Sequence, residues 1–164
     1  MIFSRLIIRL VFVFLLVFLP TNSFAISDKD KDIARKNPNS NFAENLAKNP
    51  RYKVADEDRI FARNNPQTKF AREVTANPNY IVNTEDKTFA MKNPDSSFAE
   101  GLAQNPTYLI RSEDKEFARN NPNTKFAENL VSNPAYIVES ADREFARNNP
   151  DTKAAGGIAR NPSH

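Results

Sequence analysis

Apolar residues along this chain return in the same order every 28 positions. Phe61, Phe89, Phe117 and Phe145 form one series, Phe42, Phe70, Phe98 and Phe126 a second, and Tyr52, Tyr80, Tyr108 and Tyr136 a third. Asn-Pro pairs punctuate them, starting at Asn37, Asn49, Asn65, Asn77 and Asn93 and so on to Asn161, with a short and a long spacing in alternation. Residues 57–84 and 113–140 match at 17 of 28 positions, which chance does not produce. The chain therefore reads as five tandem units, 29–56, 57–84, 85–112, 113–140 and a shortened 141–164.

The unit 113–140 shows what each should build. Ser112 precedes Glu113-Asp114, and Asp56, Thr84 and Ser140 stand at the same place before other units. Such a residue accepts from the free N–H groups of a first helical turn, and acids there suit the helix dipole. The pattern predicts a short helix over 113–120, closed by Asn121-Pro122 because the residue before proline resists helical geometry. A second helix follows. Either Asn121 caps it with Pro122 at its first position, or residues 121–124 form a turn and Thr124 is the cap. Phe126, Ala127, Leu130 and Val131 give it one apolar stripe. Tyr136-Ile137-Val138 is expected to be a short helix or an extended connector, since three apolar residues are too few to define a strand.

A unit this small cannot bury its apolar positions alone, whereas stacked neighbours can. The expected fold is all-α: short helical-hairpin tandem repeats stacked as a small solenoid. The end units differ from the others. Ile33 replaces the first Phe at one end; at the other Ala154 replaces the second, Gly156-Gly157 replace helix-forming residues, and the Tyr-Ile-Val segment is missing. These changes suit capping units; a decayed final duplication would leave the same trace.

The strings Phe117-Ala118-Arg119-Asn120-Asn121-Pro122 with Thr124, and Leu130 with Asn133-Pro134, resemble the leucine-rich variant repeats of bacteria. That resemblance spans 29–164 and implies alternating short helices in a curved solenoid. The period departs from the family's shorter one, and the resemblance implies nothing about function.

Residues 1–25 have a different character. Arg5 and Arg9 precede an unbroken apolar run from Leu10 to Leu19, Pro20 ends it, and Ser23-Phe24-Ala25 offers small residues where a signal peptidase reads. The run is shorter than the roughly 20 residues a spanning helix needs. Cleavage after Ala25 is expected, with an uncleaved anchor as the rival. Without the two arginines of that segment, 21 basic and 20 acidic residues leave a net charge of +1. That balance disfavours a nucleic-acid footprint and gives little attraction to anionic membranes, so no stable membrane insertion is expected after cleavage. Cysteine is absent, which excludes disulfides and a lipidated cysteine anchor. Asn105 and Asn161 would head glycosylation sequons but precede proline. A secreted or periplasmic bacterial protein fits these features.

Candidate chemistry is sparse. The single histidine is His164, and without cysteine the usual nucleophile–base pairs cannot be assembled. The acids of each unit read as solvated first-turn residues. Asp28-Lys29-Asp30-Lys31-Asp32 alternates acids as a calcium loop does, but has Ile33 where the turn glycine belongs and Asn39 where the closing glutamate belongs. No catalytic residue, metal site or cofactor is assigned. Arg35, Arg63, Arg119 and Arg147 recur in one column, broken by Met91. They are the candidate binding residues, able as a ladder to read a carboxylate-bearing polymer or an acidic partner. The alternative is pairing within the helix, with Asp32, Glu116 and Glu144 each three positions earlier and Arg63 left without an acid behind Ile60. The tyrosines are likewise core residues or a row that stacks on sugars or a partner. The expected function is non-enzymatic: binding a protein or other envelope or extracellular macromolecule across an extended surface, or else serving as a structural spacer in the envelope.

Overall fold

The computed structural model describes residues 26–164; the expected signal peptide, 1–25, lies outside the described residues. Among the described residues there are ten helices and no strand. The first helices of the five pairs are α1 (Asp28–Lys36), α3 (Asp56–Asn64), α5 (Thr84–Lys92), α7 (Ser112–Asn120) and α9 (Ser140–Asn148). The second helices are α2 (Asn41–Lys48), α4 (Lys69–Ala76), α6 (Ser97–Gln104), α8 (Lys125–Ser132) and α10 (Lys153–Arg160). Both series keep the period of the sequence without a slip.

The first helices begin one position earlier than expected. Ser112 is the first helical residue of α7, and Arg111 holds the cap position. The cause is the carboxylate at the third helical position, which reaches back to the cap residue's N–H. Asp58, Asp86, Asp114 and Asp142 accept from Ala55, Asn83, Arg111 and Glu139 in this way, at 2.8–3.2 Å. Ala55 has no side-chain acceptor to return the bond, so only this half of the capping box forms there. Ser27 and Asn83 complete both halves.

The turn reading of Asn121–Thr124 holds. The Asn121 side chain closes α7 by donating to the Phe117 carbonyl, and its own carbonyl accepts the Thr124 N–H. Thr124 then caps α8 through the Ala127 N–H. Ser40, Thr68, Ser96 and Thr152 repeat this at the other second helices. The Tyr-Ile-Val segments are neither helix nor strand: they follow a turn, and the alternation of a buried Tyr with an outward next residue is that of an extended chain.

Each second helix packs on the second helix of the next pair, and each first helix packs on its own second helix. Between them lie Phe70, Phe98 and Phe126, all fully buried. Each sits edge-on to the tyrosine of the pair before and the phenylalanine of its own first helix, as in Tyr52–Phe70 at 6.2 Å and Phe61–Phe70 at 5.7 Å. The last pair forms both of its helices, with Gly156 and Gly157 inside α10. Gly157 is buried in α10, where an added Cβ would press on Val131 and the Glu128 carbonyl of α8. Gly101 in α6 meets the Arg72 carbonyl of α4 in the same manner. At both places the missing side chain lets two helix backbones approach closely.

Candidate binding surface

Acids at the third position of the first helices are the centre of each junction, not solvated residues. Asp58, Asp86, Asp114 and Asp142 are fully buried. An isolated buried carboxylate is costly unless paired and hydrogen-bonded, and here the pairing comes from the preceding unit. Arg35 reaches Asp58 at 2.6 Å, Arg63 reaches Asp86 at 2.9 Å, and Arg119 reaches Asp142 at 2.9 Å. Where Met91 interrupts that column, Lys87 binds Asp114 at 2.8 Å instead. The hydroxyls of Tyr108 and Tyr136 donate to Asp114 and Asp142 at 2.7 and 2.9 Å. Burial pushes both phenols well above the ordinary tyrosine range, and the adjacent carboxylate adds to the shift.

The arginine column therefore works mainly across units. Only Arg35 makes the expected bond within its own helix, to Asp32 at 2.5 Å. Arg63, which has no acid behind it, pairs forward with Glu85 and Asp86. Arg119 pairs forward to Asp142 and not with Glu116. Arg147 is exposed and makes no ion pair among the described residues. Those four side chains are thus not one uniform ladder: three are tied into junctions and the fourth is presented to solvent.

A second basic column, Lys31, Arg59, Lys87 and Lys115, lies over the rings of Tyr52, Tyr80, Tyr108 and Tyr136 at 4.0–5.1 Å. The same cations donate to the carbonyls of Lys53, Ile81, Leu109 and Ile137. The tyrosines are at most 1% exposed and already covered, so they are core and offer no stacking face.

Asparagine supplies a further set of junction bonds that sequence reading assigned to punctuation. Asn77, Asn105, Asn133 and Asn161 are nearly or fully buried. Each donates to at least two carbonyls of the preceding unit: Asn105, for example, bonds Thr75 at 2.6 Å, Asn77 at 2.9 Å and Tyr80 at 3.1 Å. Asn77, Asn133 and Asn161 repeat the pattern at equivalent carbonyls. The available signal was invariance between units, because a turn alone would accept Asp or Ser at these places.

What remains open is the surface beside the extended connectors. Ile81, Leu109 and Ile137 are 62–65% exposed and stand one repeat apart. Between α7 and the connector leading into α9 lies a cleft of about 360 Å³ lined by Ile110, Arg111, Lys115, Arg119, Ile137 and Glu139. One repeat earlier, between α5 and α7, a cleft of about 220 Å³ has Val82, Asn83, Lys87, Met91, Leu109 and Arg111 at the equivalent positions. They are the same groove twice, and Met91 makes the earlier one less charged. Among the described residues no group of three or more His, Cys, Asp or Glu side chains could hold a metal ion. Asp30, from the alternating acids, caps α1, and its bonds to Ser27 hold its carboxyl below the usual range. His164 takes the place in the last unit that Tyr136 takes in the unit before, in the same turn geometry, and is exposed. Comparisons with protein-family models, curated proteins and solved structures gave no significant match.

Proposed function

We propose that this is an exported, non-enzymatic solenoid that binds another macromolecule along the face formed by its first helices and extended connectors. The observation that carries this reading is the row Ile81, Leu109 and Ile137, exposed at one-repeat spacing beside equivalent grooves. Apolar side chains scattered singly on a surface need no explanation, but a periodic row bordered by clefts marks an interaction surface. A partner with apolar groups at matching intervals would meet the same geometry at each step, and the basic and acidic groove walls would orient it.

A spacer is the second reading, and it is favoured by the ionic and amide bonds that cross each junction and would stiffen the array. One experiment separates the two. The exported protein, immobilised, is used to capture partners from its native envelope or extracellular fraction, beside a variant carrying Ile81→Ser, Leu109→Ser and Ile137→Ser. A saturable partner lost with the triple variant supports binding along this face. Capture of nothing saturable supports the spacer, and equal saturable capture by both proteins overturns this face as the binding surface.

A further inference from the structure

Internal junctions in this protein share one set of bonds, each made at a fixed place in the repeat. A basic side chain of one unit reaches the buried aspartate of the next, as Arg63 and Arg59 reach Asp86. An asparagine side chain donates to two carbonyls of the unit before, as Asn105 does to Thr75 and Asn77. The backbone N–H groups of Phe70, Phe98, Phe126 and Ala154 donate to the carbonyls of Pro38, Pro66, Pro94 and Pro122 in turn, at 2.8–2.9 Å. At the ends of the described residues, each of these bonds is half made.

The first helix pair presents the aspartate of the ion pair together with the side-chain amide and backbone N–H donors of the other two bonds. Asp30 is only part-buried and has no ion pair among the described residues, whereas its four equivalents are fully buried. Asn49 is exposed, and Phe42 is 45% exposed where Phe70, Phe98 and Phe126 are fully buried. The last pair presents the basic side chains of the ion pair and the carbonyls that accept the other two bonds. Arg147 is exposed without an ion pair, and Ala146 is part-buried where Ala62, Ala90 and Ala118 are at most 1% exposed.

We propose that copies of this chain associate head to tail, with α1–α2 of one copy seated on α9–α10 of another. Register supports the fit. Displacing a second copy by five repeats puts its Asp30 where Arg147 and Arg143 reach, at the same separations that Arg63 and Arg59 span to Asp86. Its Asn49 side chain then meets the carbonyls of Ala159 and Asn161, its Phe42 N–H meets the carbonyl of Pro150, and its Phe42 ring meets His164 in the tyrosine place. Unlike a symmetric dimer contact, this one joins two different faces, so it propagates into linear assemblies unless the geometry closes a ring. It rests on the reading that residues 1–25 are removed, since they would otherwise extend from the Ile26 end.

Sedimentation of the exported protein across a concentration series, with N-terminal sequencing of the same sample, tests this. Species should grow in steps of one chain as concentration rises. Asp30→Arg and Arg147→Asp should each raise the concentration for half-association by about tenfold or more, as like charges then face each other. An equimolar mixture of the two variants should recover association, because the reversed charges oppose one another again. That recovery also shows that Asp30→Arg folds, and circular dichroism checks each variant alone. A protein beginning at Ile26 that stays monomeric at about 1 mM, the weak end of specific association, overturns the proposal alone. So does growth that neither variant affects. Recovery of a chain that retains residues 1–25 overturns the cleavage reading and this proposal together.

Discussion

Two rows of helices run through this molecule, and they are joined by different forces. Second helices touch their neighbours directly, through Phe70, Val74, Phe98, Leu102, Phe126 and Leu130, all fully buried. That row follows ordinary core logic, in which apolar area leaves water and small residues such as Gly101 and Gly157 set the closest approach. First helices instead reach the next unit through long basic side chains that end on a buried aspartate. The first row is thereby more specific in register, because an arginine must find one carboxylate, while the second row supplies the larger share of burial.

The sharpest way to break this contrast is to empty the second row. Phe126→Ala should cost about 3–5 kcal/mol in denaturant unfolding, the range for a fully buried phenylalanine. Phe42→Ala, at the same place in the first pair but 45% exposed, should cost less than half as much. Equal losses at the two positions would mean that the second row gains nothing from neighbouring pairs.

Legibility in the sequence divides along the same line. The repeat period, the helix pairs, the Phe126–Val131 stripe and the Thr124 cap could be read because periodic apolar spacing reports burial of carbon. The cap at Arg111 and the burial of Asp114 could not. An aspartate in a first turn has the same hydropathy whether it is solvated or sunk beneath Tyr108 and Lys87, and its cation stands on the first helix of the preceding unit. One clue was present. Asp30, Asp58, Asp86, Asp114 and Asp142 recur in every unit, while the residue before them varies as Lys29, Glu57, Glu85, Glu113 and Ala141. A solvated face would let both positions drift. The grooves were less legible still, because Leu109 and Tyr108 are both apolar in sequence and only the extended backbone turns one inward and the other out.

Titration probes the first row at lower energy. The folded-state phenols of Tyr108 and Tyr136 lie above their unfolded value, through burial first and the neighbouring carboxylates second. Their contribution is complete below the ordinary tyrosine pKa of about 10 and declines as pH rises beyond it, by up to about 1.4 kcal/mol per pH unit for each tyrosine. Unfolding followed between about pH 9 and 11, with tyrosinate absorbance as the probe, should show that decline. Lysines titrate in the same window, so Tyr108→Phe is the control: its stability should fall less steeply with pH than that of the parent. Parallel slopes would remove the phenols from the account.

The smallest expected effect comes from the column where an interior unit and the last one part company. Arg119 and Arg147 occupy the same position in successive first helices, and both follow a glutamate one helical turn earlier. Arg119 has a following unit and binds the buried Asp142, whereas Arg147 has no such partner among the described residues. Were these arginines held by their own helices, Arg119→Ala and Arg147→Ala would change stability equally. Because the bond is to the next unit, Arg119→Ala should cost about 1–2 kcal/mol; that lies below the full penalty for orphaning a buried charge, since the arginine itself is about a third exposed and Asp142 keeps the Tyr136 hydroxyl and the Glu139 N–H. Arg147→Ala should stay within about 0.5 kcal/mol in dilute protein, as exposed substitutions do. Chemical unfolding of the two variants side by side decides it, and equal costs would return the arginine column to local helix pairing. If the costs split as expected, Arg147 is the one position in that column where a change in association or in partner capture reports recognition without a stability term.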